Sequence, residues 1–499
     1  MTLTYPTHST TPWAFMAEHR DPQPDPLPEA RVEVLVVGAG IVGLTTALLL
    51  AEQGIDCAVI DAAVPGSGTT GHSTAKASIL HGTRAASIRA QHGAGAVTSY
   101  LHANQAGLDR IQSIVSDQPG PWQVRDSWTY ATDESGRREV QEVSAAMTAA
   151  GVPAPVQTPE ELPFATTAAV RVADQLQVDP QAYLGMLLAK ARRAGVLVSW
   201  PHRASAVRTD GDGLVVTGTH DQRITADRVV LATLLPFPLR TAMFATTTAS
   251  RSYSLAALPG PGEVPQGMYL SAGAPTHSLR TATDAQGREL LLLGGHGHPT
   301  GNEHSASAHL DGLAQWASDT FDLEAFTHRW SAQDFLSADS LPQFGASPWG
   351  PEGLLFATGM GKWGFTNGTA AAIALTGRIT GQEPDWAQLF RPRLAGSAQG
   401  WAQLAAGNAQ VGVDLIRGWL LDPGSGTPAE GEGIVTRGLP PRAVSNTDGR
   451  LRSCRAVCTH LGGVVRWNDV ERTWDCSLHG SRFTPYGAVV DGPATTSLA

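Results

Sequence analysis

Two short Cys/His motifs near the end of this 499-residue chain restrict its fold more than any other feature. They are Cys458-Thr459-His460 and Cys476-Ser477-Leu478-His479. Gly462 and Gly480 follow them closely, and glycine lets the backbone pass near a bound group so that amides can donate to it. Two thiolates and two imidazoles can divide between two iron atoms or surround a single tetrahedral zinc ion. The motifs therefore predict two loops that meet at a metal centre.

These loops resemble those of the Rieske [2Fe–2S] family. The Cys-x-His spacing is tight for zinc, and the flanks Leu461-Gly462 and Gly480-Ser481 also favour the cluster, with a Cys2His2 zinc site as the alternative. The segment from Phe483 to Leu498 is similar to the closing hairpin of that family. The resemblance implies four metal ligands, one sulfur pair and one imidazole pair: Cys458, His460, Cys476 and His479.

The sequence departs from the respiratory Rieske proteins at two positions. Those proteins carry two further cysteines, which form a disulfide, where this chain has Gly463 and Leu478. Ser481 keeps the hydroxyl that donates to a cluster sulfide in the family, whereas the family's tyrosine position holds Phe483. Fewer donors stabilise the reduced cluster less, so we expect a potential in the lower part of the Rieske range of about −150 to +300 mV. Cys454 fits neither loop and is expected to pack in a strand.

A glycine fingerprint near the N-terminus predicts a nucleotide site. Gly38-x-Gly40-x-x-Gly43 follows the buried strand Val34–Val37 and opens a helix, and Asp61 ends the next strand. Such glycines allow a tight turn and a close approach of a pyrophosphate to the helix N-terminus, while the acid accepts from ribose hydroxyls. The fingerprint alone fits FAD, NAD or a plain glycine-rich turn.

Further segments resemble the D-amino-acid-oxidase-like (glycine/sarcosine oxidase) family and favour FAD. They are Gly68 to Lys76, Val178-Asp179-Pro180, Val229 to Thr233, Asp339-x-x-Pro342-x-x-Gly345 and Ala357 to Gly368, and the resemblance covers residues 31–382. Val207 would line the adenine. With Gly38, Gly40, Gly43 and Asp61, the resemblance implies these FAD contacts: Thr70, Ser73, Lys76, Val207, Thr233, Gly359, Gly364 and Thr366.

Two basic residues are candidates for the chemistry itself. A cation at Lys362 would lie beside the flavin and favour its anionic reduced form, and the alternative is a surface lysine at a helix start. Arg280 could bind a substrate carboxylate through its planar guanidinium, and a purely structural arginine is at least as good an interpretation.

These patterns predict an α/β fold: a Rossmann-like FAD-binding domain with an inserted α+β substrate domain, followed by a small all-β Rieske domain. We expect a Pro-rich extension of low structural content at 1–30 and the oxidoreductase body at 31–385. Within the body, FAD-binding parts are assigned to 31–110, 165–245 and 339–385, and substrate-domain parts to 111–164 and 246–338. A linker at 386–412 leads to the Rieske domain at 413–499.

The composition excludes some partners. The formal net charge is −10, only 16% of residues are charged, and no basic stretch is present to pair with nucleic acid or an anionic membrane surface. The most apolar stretch, Val34 to Ala51, is interrupted by glycines and does not read as a membrane span. Four cysteines are too few for a disulfide scaffold and no secretory signal is visible, so we expect a cytoplasmic protein.

Together the resemblances match FAD-dependent D-amino-acid-oxidase-like oxidoreductases with a C-terminal Rieske domain. They imply two cofactors, FAD and a [2Fe–2S] cluster, a small amine or amino-acid-like substrate, and an external electron acceptor. One alternative is an oxygen-using flavin amine oxidase with a structural cluster. Another is a redox sensor without turnover, although the full set of flavin motifs and the substrate domain favour an enzyme.

Overall fold

The computed structural model describes residues 3–13, 23–116, 120, 122–238, 241, 243–302, 305–393 and 426–499, with isolated positions at 402, 405, 409 and 412. Most of the predicted linker 386–412, and the beginning of the last predicted domain at 413, lie outside the described residues.

Seven α-helices lie within these residues: α1 Ile41–Glu52, α2 Arg84–His92, α3 Ala94–Val115, α4 Glu134–Ala149, α5 Pro180–Arg193, α6 Ala306–Thr320 and α7 Gly364–Thr380. Short 3-10 helices occur at Thr69–His72, Thr219–Asp221, Met243–Ala245 and Asp385–Phe390.

The strands of the body are β1 Val32–Val37, β2 Cys57–Ile60, β3 Lys76–Ala77, β4 Trp122–Ala131, β5 Val156–Gln157, β6 Ala168–Val178, β7 Leu197–Ser199, β8 Ala204–Asp210, β9 Gly213–Gly218, β10 Arg223–Leu231, β11 Thr247–Pro259, β12 Met268–Ser271, β13 His277–Thr283, β14 Glu289–Pro299, β15 Leu323–Ser337, β16 Gln343–Ala346 and β17 Leu354–Thr358. Those of the C-terminal domain (426–499) are β18 Gly433–Thr436, β19 Arg442–Thr447, β20 Arg450–Arg455, β21 Val465–Asn468, β22 Thr473–Cys476, β23 Arg482–Phe483 and β24 Val489–Asp491.

The first sheet of the body has a parallel centre. Its order is β16-β17-β10-β1-β2-β7, with β17, β10, β1, β2 and β7 parallel and the β8–β9 hairpin added to β10. β1 is apolar on both faces because both are covered: Val34 and Val36 pack with α1, α5 and α7, while Leu35 and Val37 pack in a second core cluster. The carboxyl ends of these strands therefore form one shared edge.

A second sheet of nine strands stands beside the first. Its order is β15-β11-β14-β13-β12-β4-β6-β3, with β5 on β6. β3 and β6 belong to this sheet although the sequence assigns their segments to the FAD-binding parts, because β6 pairs along its length with β4. The chain thus crosses between the two sheets more often than a simple insertion would require.

Two local features of the body depend on particular residues. Gly93, with a φ of 84°, separates α2 from α3. The Pro-rich extension has little regular structure where it is described, yet it packs on the body: Trp13 is buried, and Arg329 Nε donates to the Pro6 carbonyl at 2.6 Å. Burial of an indole ring gives this segment the fixed position that its prolines alone did not predict.

The C-terminal domain consists of two antiparallel sheets, β18-β19-β20 and β21-β22-β23-β24, around a core that includes Trp474 and Phe483. It packs on the body of the same chain. Asp469 accepts from the amides of Ala306 at 2.9 Å and Ser307 at 3.2 Å, which satisfies the N-terminus of α6. The fold is therefore an α/β body with a small all-β domain docked against it.

Candidate functional site

A cavity of about 620 Å³ opens at the carboxyl ends of the parallel strands. Gly38 and Gly40, in the turn between β1 and α1, line it. Gly38 has a φ of 112°, and a Cβ there would lie 2.4 Å from the Ala232 carbonyl oxygen, so only glycine fits. The turn presents the N-terminus of α1 to the cavity, where free amides and the helix dipole favour a phosphate group.

Asp61 faces the same turn from the end of β2. Its Oδ2 accepts from the Ala39 amide at 2.6 Å and its Oδ1 from the Ala63 amide at 2.9 Å. Burial raises the pKa of this carboxyl, and the amide hydrogen bonds oppose that shift. The residue is a fixed acceptor of the kind that ribose hydroxyls require, so the cavity fits an adenine dinucleotide such as FAD.

Lys362 lines both this cavity and a second one of about 400 Å³ beside it. With a φ of 70°, its amide donates to Asp334 Oδ2 at 2.5 Å, and its Nζ donates to Ser252 Oγ at 2.8 Å. A Cβ at Gly297 would lie 2.7 Å from this Nζ, so the glycine leaves room for the cation. Desolvation by the surrounding cavity walls lowers the pKa of Lys362, whose side chain is exposed to the cavities, and the Asp334 carboxylate opposes the shift.

The second cavity lies under the nine-stranded sheet. One row of residues that are paired across neighbouring strands lines it: Leu270, Ser278, Gly294 and Ser254. Lys76 also lines it, and its Nζ donates to the Tyr269 carbonyl at 3.1 Å and to Ser278 Oγ. Burial, followed by the charge of Arg280, lowers the pKa of Lys76 to about 7.

The two C-terminal loops bring the predicted ligands together in pairs. The Cys476 thiol lies against that of Cys458, and this contact lowers the pKa of Cys458 to about 7. The rings of His460 and His479 meet edge to face with centroids 5.1 Å apart. Burial lowers the pKa of both imidazoles, so they are neutral donors at pH 7.

These side chains fit a [2Fe–2S] cluster. His460 Nε2 is buried and has no hydrogen-bond partner, which is costly for a structural histidine. The separation into a sulfur pair and an imidazole pair matches two irons with different ligands. Ser481 Oγ accepts from the Ala494 amide at 3.0 Å and lies in hydrogen-bond contact with the Cys458 thiol. Leu478 fills the space over Gly463, where a Cβ would lie 2.7 Å from it.

The imidazole rings of His460 and His479 face the body of the same chain. The Phe244 ring lies edge-on to His460 at 5.5 Å and to His479 at 5.0 Å. Beside it, Gln333 Nε2 donates to the Gly480 carbonyl at 2.8 Å. A Cβ at Gly480 would lie 2.4 Å from that of Ala249, so the second loop fits tightly against β11.

The strand pair β11–β15 separates the two sites. On one face Ser250, Ser252, Ala332 and Asp334 line the larger cavity. On the other face Gln333 contacts the second loop, because successive residues of a strand point to opposite sides. We call this pair the shared wall.

Two family models match the chain. The model for FAD-dependent oxidoreductases matches residues 33–378, and the model for the Rieske [2Fe–2S] domain matches residues 429–499. The chain belongs to the FAD-dependent oxidoreductases. FAD and a Rieske [2Fe–2S] cluster are accordingly the cofactors of this oxidoreductase, and the α/β fold class is confirmed.

Relatives support both halves of the oxidoreductase. The Bacillus subtilis protein YhfW, named as a Rieske 2Fe-2S iron-sulfur protein, is 32% identical over 477 residues, covering 94% of this chain and 93% of that protein. The chloroplastic cytochrome b6-f iron-sulfur subunit of Fritillaria agrestis is 42% identical over 92 residues, 18% of this chain and 39% of that subunit.

Among solved structures, glycine oxidase from Geobacillus kaustophilus aligns with a TM-score of 0.58 and 18% identity over 73% of this chain and 99% of its own. L-Proline dehydrogenase from P. horikoshii aligns with a TM-score of 0.59 and 16% identity, covering 73% of this chain and 98% of its own. The oxidoreductase therefore shares their fold. In the described part of the chain, no helix is both long and apolar enough to cross a bilayer.

The residues predicted to contact FAD divide into two groups. Those that line the larger cavity are Gly38, Gly40, Asp61, Thr70, Ser73, Thr233 and Gly364. Those that do not are Gly43, Val207, Gly359 and Thr366, while Lys76 lines only the second cavity.

Each residue of the second group has a structural reason for its place. A Cβ at Gly43 would lie 1.7 Å from the Gly38 carbonyl oxygen, so Gly43 serves the close approach of α1 to the turn. Val207 packs in the core beside β9. Gly359 has a φ of 73° and lies against Ser337. Thr366 Oγ1 donates to the Ser78 carbonyl at 3.0 Å.

Arg280 is corrected as a substrate ligand. It is 2% exposed and lines neither cavity, and its Nη1 and Nη2 donate to the Ala75 carbonyl at 3.4 Å and the Val178 carbonyl at 3.1 Å. Its guanidinium also stacks over the Trp13 ring at 5.1 Å. Arg280 lies on β13 of the second sheet, whereas the basic residues that line the second cavity are Lys76, Arg84 and Lys362.

Sequence reasoning did not reveal that residues of the C-terminal domain line part of the FAD cavity. Val489 to Gly492, Ala494 and Thr495 line it, together with His202 and Arg203 of the body. Arg203 joins the two parts by donating to the Val489 carbonyl at 3.2 Å. The resemblance of Phe483 to Leu498 to a closing hairpin was the only signal, and it gave no partner for that hairpin.

Proposed function

We propose that this oxidoreductase takes a hydride from a small amine or amino-acid-like substrate and passes the electrons through its Rieske cluster to an external acceptor. One observation carries the proposal: the second ligand loop is docked on the shared wall, whose opposite face lines the flavin cavity. A cluster in this position is next to the flavin of its own chain.

FAD, when bound, accepts two electrons as a hydride. We propose that its nucleotide half is held by the Gly38 turn, Asp61 and Thr70, and that Ser73, Thr233 and Gly364 contact the remainder. Lys362 then supplies positive charge at the junction of the two cavities, where it would stabilise negative charge that develops on reduction.

The second cavity supports a substrate that carries a carboxylate as well as an amine. Lys76, Arg84 and Lys362 line it, and none of its described lining residues is a carboxylate. The names of two structural neighbours, glycine oxidase and L-proline dehydrogenase, agree with an amino acid in this place. The four cysteines, all unpaired in the structure, support a cytoplasmic location.

The shared wall favours electron relay over a direct reaction with oxygen. A [2Fe–2S] centre carries one electron at a time, so it converts two-electron substrate chemistry into one-electron output. Such a converter would be superfluous in an enzyme whose flavin only reduces oxygen. An amine oxidase with a structural cluster and a redox sensor are the two competing functions.

Anaerobic stopped-flow mixing separates the three functions. We expect glycine, sarcosine, L-proline or a related amine to bleach the flavin of the holoenzyme, with reduction of the cluster following in a second phase. Flavin bleaching while the cluster stays oxidised would favour the oxidase. A panel in which no amine or hydroxy acid bleaches the flavin would favour the sensor.

A variant of the shared wall tests the relay without a known substrate. Gln333→Leu removes the hydrogen bond to Gly480, worth about 1 kcal/mol, together with the bonds that Gln333 Oε1 accepts from Arg251 and Thr300. It should slow cluster reduction several-fold after the flavin is reduced photochemically. Gln315→Leu is the control, because within the described part of the chain the Gln315 side chain bonds only to Asp319, on the exposed face of α6. Equal rates in both variants would argue against transfer across the shared wall.

A further inference from the structure

The chain uses lysine very sparingly. It contains thirty-two arginines and only three lysines, Lys76, Lys190 and Lys362. Arginine keeps its proton at every physiological pH, whereas lysine can lose one when it is buried. Two of the three lysines line the cavities described above, and each places an amine there that can give up its proton.

Lys76 is held at the roof of the second cavity by neutral groups. Its strand, β3, pairs with β6 through Lys76 and Gln177. Its Nζ donates to the Tyr269 carbonyl and to Ser278 Oγ, and Ser278 belongs to the row that lines the cavity. These partners accept hydrogen bonds without adding a negative charge, so they do little to stabilise a protonated amine.

The charged group next to Lys76 also favours its neutral, unprotonated form. Burial is the main cause that lowers the pKa of Lys76 to about 7, and the Arg280 guanidinium behind it adds to the shift. The titratable or charged groups that line the cavity with it are His81, Arg84, Tyr253 and Lys362. Burial keeps His81 and Tyr253 neutral at pH 7, since the pKa of His81 is lowered to about 3 and that of Tyr253 is raised.

We propose that Lys76 Nζ is the proton acceptor that converts an ammonium substrate into the neutral amine that is oxidised. This inference rests on the proposed function, because it requires an amine in the second cavity. A substrate N–H bond breaks and an Nζ–H bond forms, while the electron pair of that N–H bond stays on the substrate nitrogen. The resulting lone pair is the one needed to form the C=N bond when the α-hydrogen leaves as a hydride.

A role as a permanent cation that binds a carboxylate is the competing explanation for Lys76. The two roles differ in what arginine can replace. Lys76→Arg keeps a positive charge but provides no proton acceptor, whereas Lys76→Met removes both the charge and the acceptor and keeps the chain length. A proton acceptor is lost in both variants, and a permanent cation is lost only in the second.

The first test observes the lysine directly in the oxidised holoenzyme. Protein labelled with [ε-13C]lysine gives three signals, which Lys76→Met and Lys362→Met assign. We expect the Lys76 signal to titrate with a midpoint near 7. A Lys76 amine that stays protonated to pH 9 would overturn the proposal. This result does not depend on turnover, so it is separate from a failure of the proposed function.

The second test follows anaerobic flavin reduction by glycine, sarcosine and L-proline between pH 6 and pH 10. In the wild type we expect the rate to fall below about pH 7. In both Lys76→Met and Lys76→Arg we expect a loss of at least tenfold at pH 7 that free substrate amine restores at high pH. A rate rescued by Lys76→Arg, or lowered equally at every pH, would overturn the proposal in favour of a cation or a packing role.

Discussion

The cluster site and the flavin site of this protein are assembled in different ways. All four cluster ligands lie between Cys458 and His479, on two loops of one small domain. The groups that line the flavin cavity extend from Val37 to Thr495 and come from both domains. The first site depends on a few side chains in a short segment, and the second on backbone turns and contacts between distant segments.

This difference between a local and a distributed site predicts how each one responds to a substitution. A metal centre loses its coordination when one ligand is removed, because the remaining side chains cannot supply the missing donor. A distributed nucleotide site loses only the contribution of one contact, since the other contacts stay in place. The following predictions test this contrast, beginning with the largest effect.

Cys476→Ser should abolish the cluster. Serine lacks the thiolate that the cluster requires, so we expect no Rieske EPR signal on reduction and a loss of bound iron, while most of the FAD is retained. Cys454→Ser is the matched control, because Cys454 is buried in β20 outside both loops. A normal EPR signal in Cys476→Ser, or zinc in the wild-type site, would contradict the assignment of ligands.

Asp61→Ala should weaken FAD binding by about 10–100-fold. The variant removes a charged acceptor, and a hydrogen bond to a charged group is worth about 1.5–3 kcal/mol. Fluorescence titration of the apoprotein with FAD measures the change. Asp56→Ala, at an exposed position just before β2, should bind FAD as the wild type does. Complete loss of binding in Asp61→Ala would show that the flavin site also depends on one residue.

Ser481→Ala should have the smallest effect, a shift in the cluster potential. The wild-type potential is expected in the lower part of the Rieske range, and loss of the hydroxyl donor should lower it further, by about 50 mV, since a one-electron potential changes by 59 mV for each 1.4 kcal/mol. An EPR-monitored redox titration measures both values. A wild-type potential near the top of the range would refute the argument from missing donors.

The same contrast explains what the sequence could predict. The cluster loops, the glycine turn and Asp61 are local patterns with a direct chemical meaning. In the structure the turn and Asp61 line the larger cavity, and the loops bring their cysteines and histidines together in pairs. Val207 was assigned by resemblance and Arg280 by its guanidinium chemistry, both within strands, where only the tertiary packing decides which side chain reaches the cavity. The family resemblance likewise assigned Lys76 to FAD, although β3 pairs into the second sheet.

Contacts between domains were also beyond the sequence. The hydrogen bond from Gln333 to Gly480 joins residues 147 positions apart, and neither residue carries a motif that indicates the other. Phe244, which contacts both histidines, lies in the short 3-10 helix Met243–Ala245 and has no distinctive neighbours in sequence. Docking of the two domains was therefore left open until their packed surfaces were known.

Successive side chains of β15 point alternately to the flavin cavity and to the cluster loops, and this has a practical consequence for redesign. Ala332 and Asp334 belong to the flavin side, and Gln333 belongs to the cluster side. Substitutions at even-numbered positions here can change substrate or flavin chemistry, and those at odd-numbered positions can change the docking of the iron–sulfur domain. Inserting one residue into this strand would exchange the two sets of side chains and damage both cofactor sites at once.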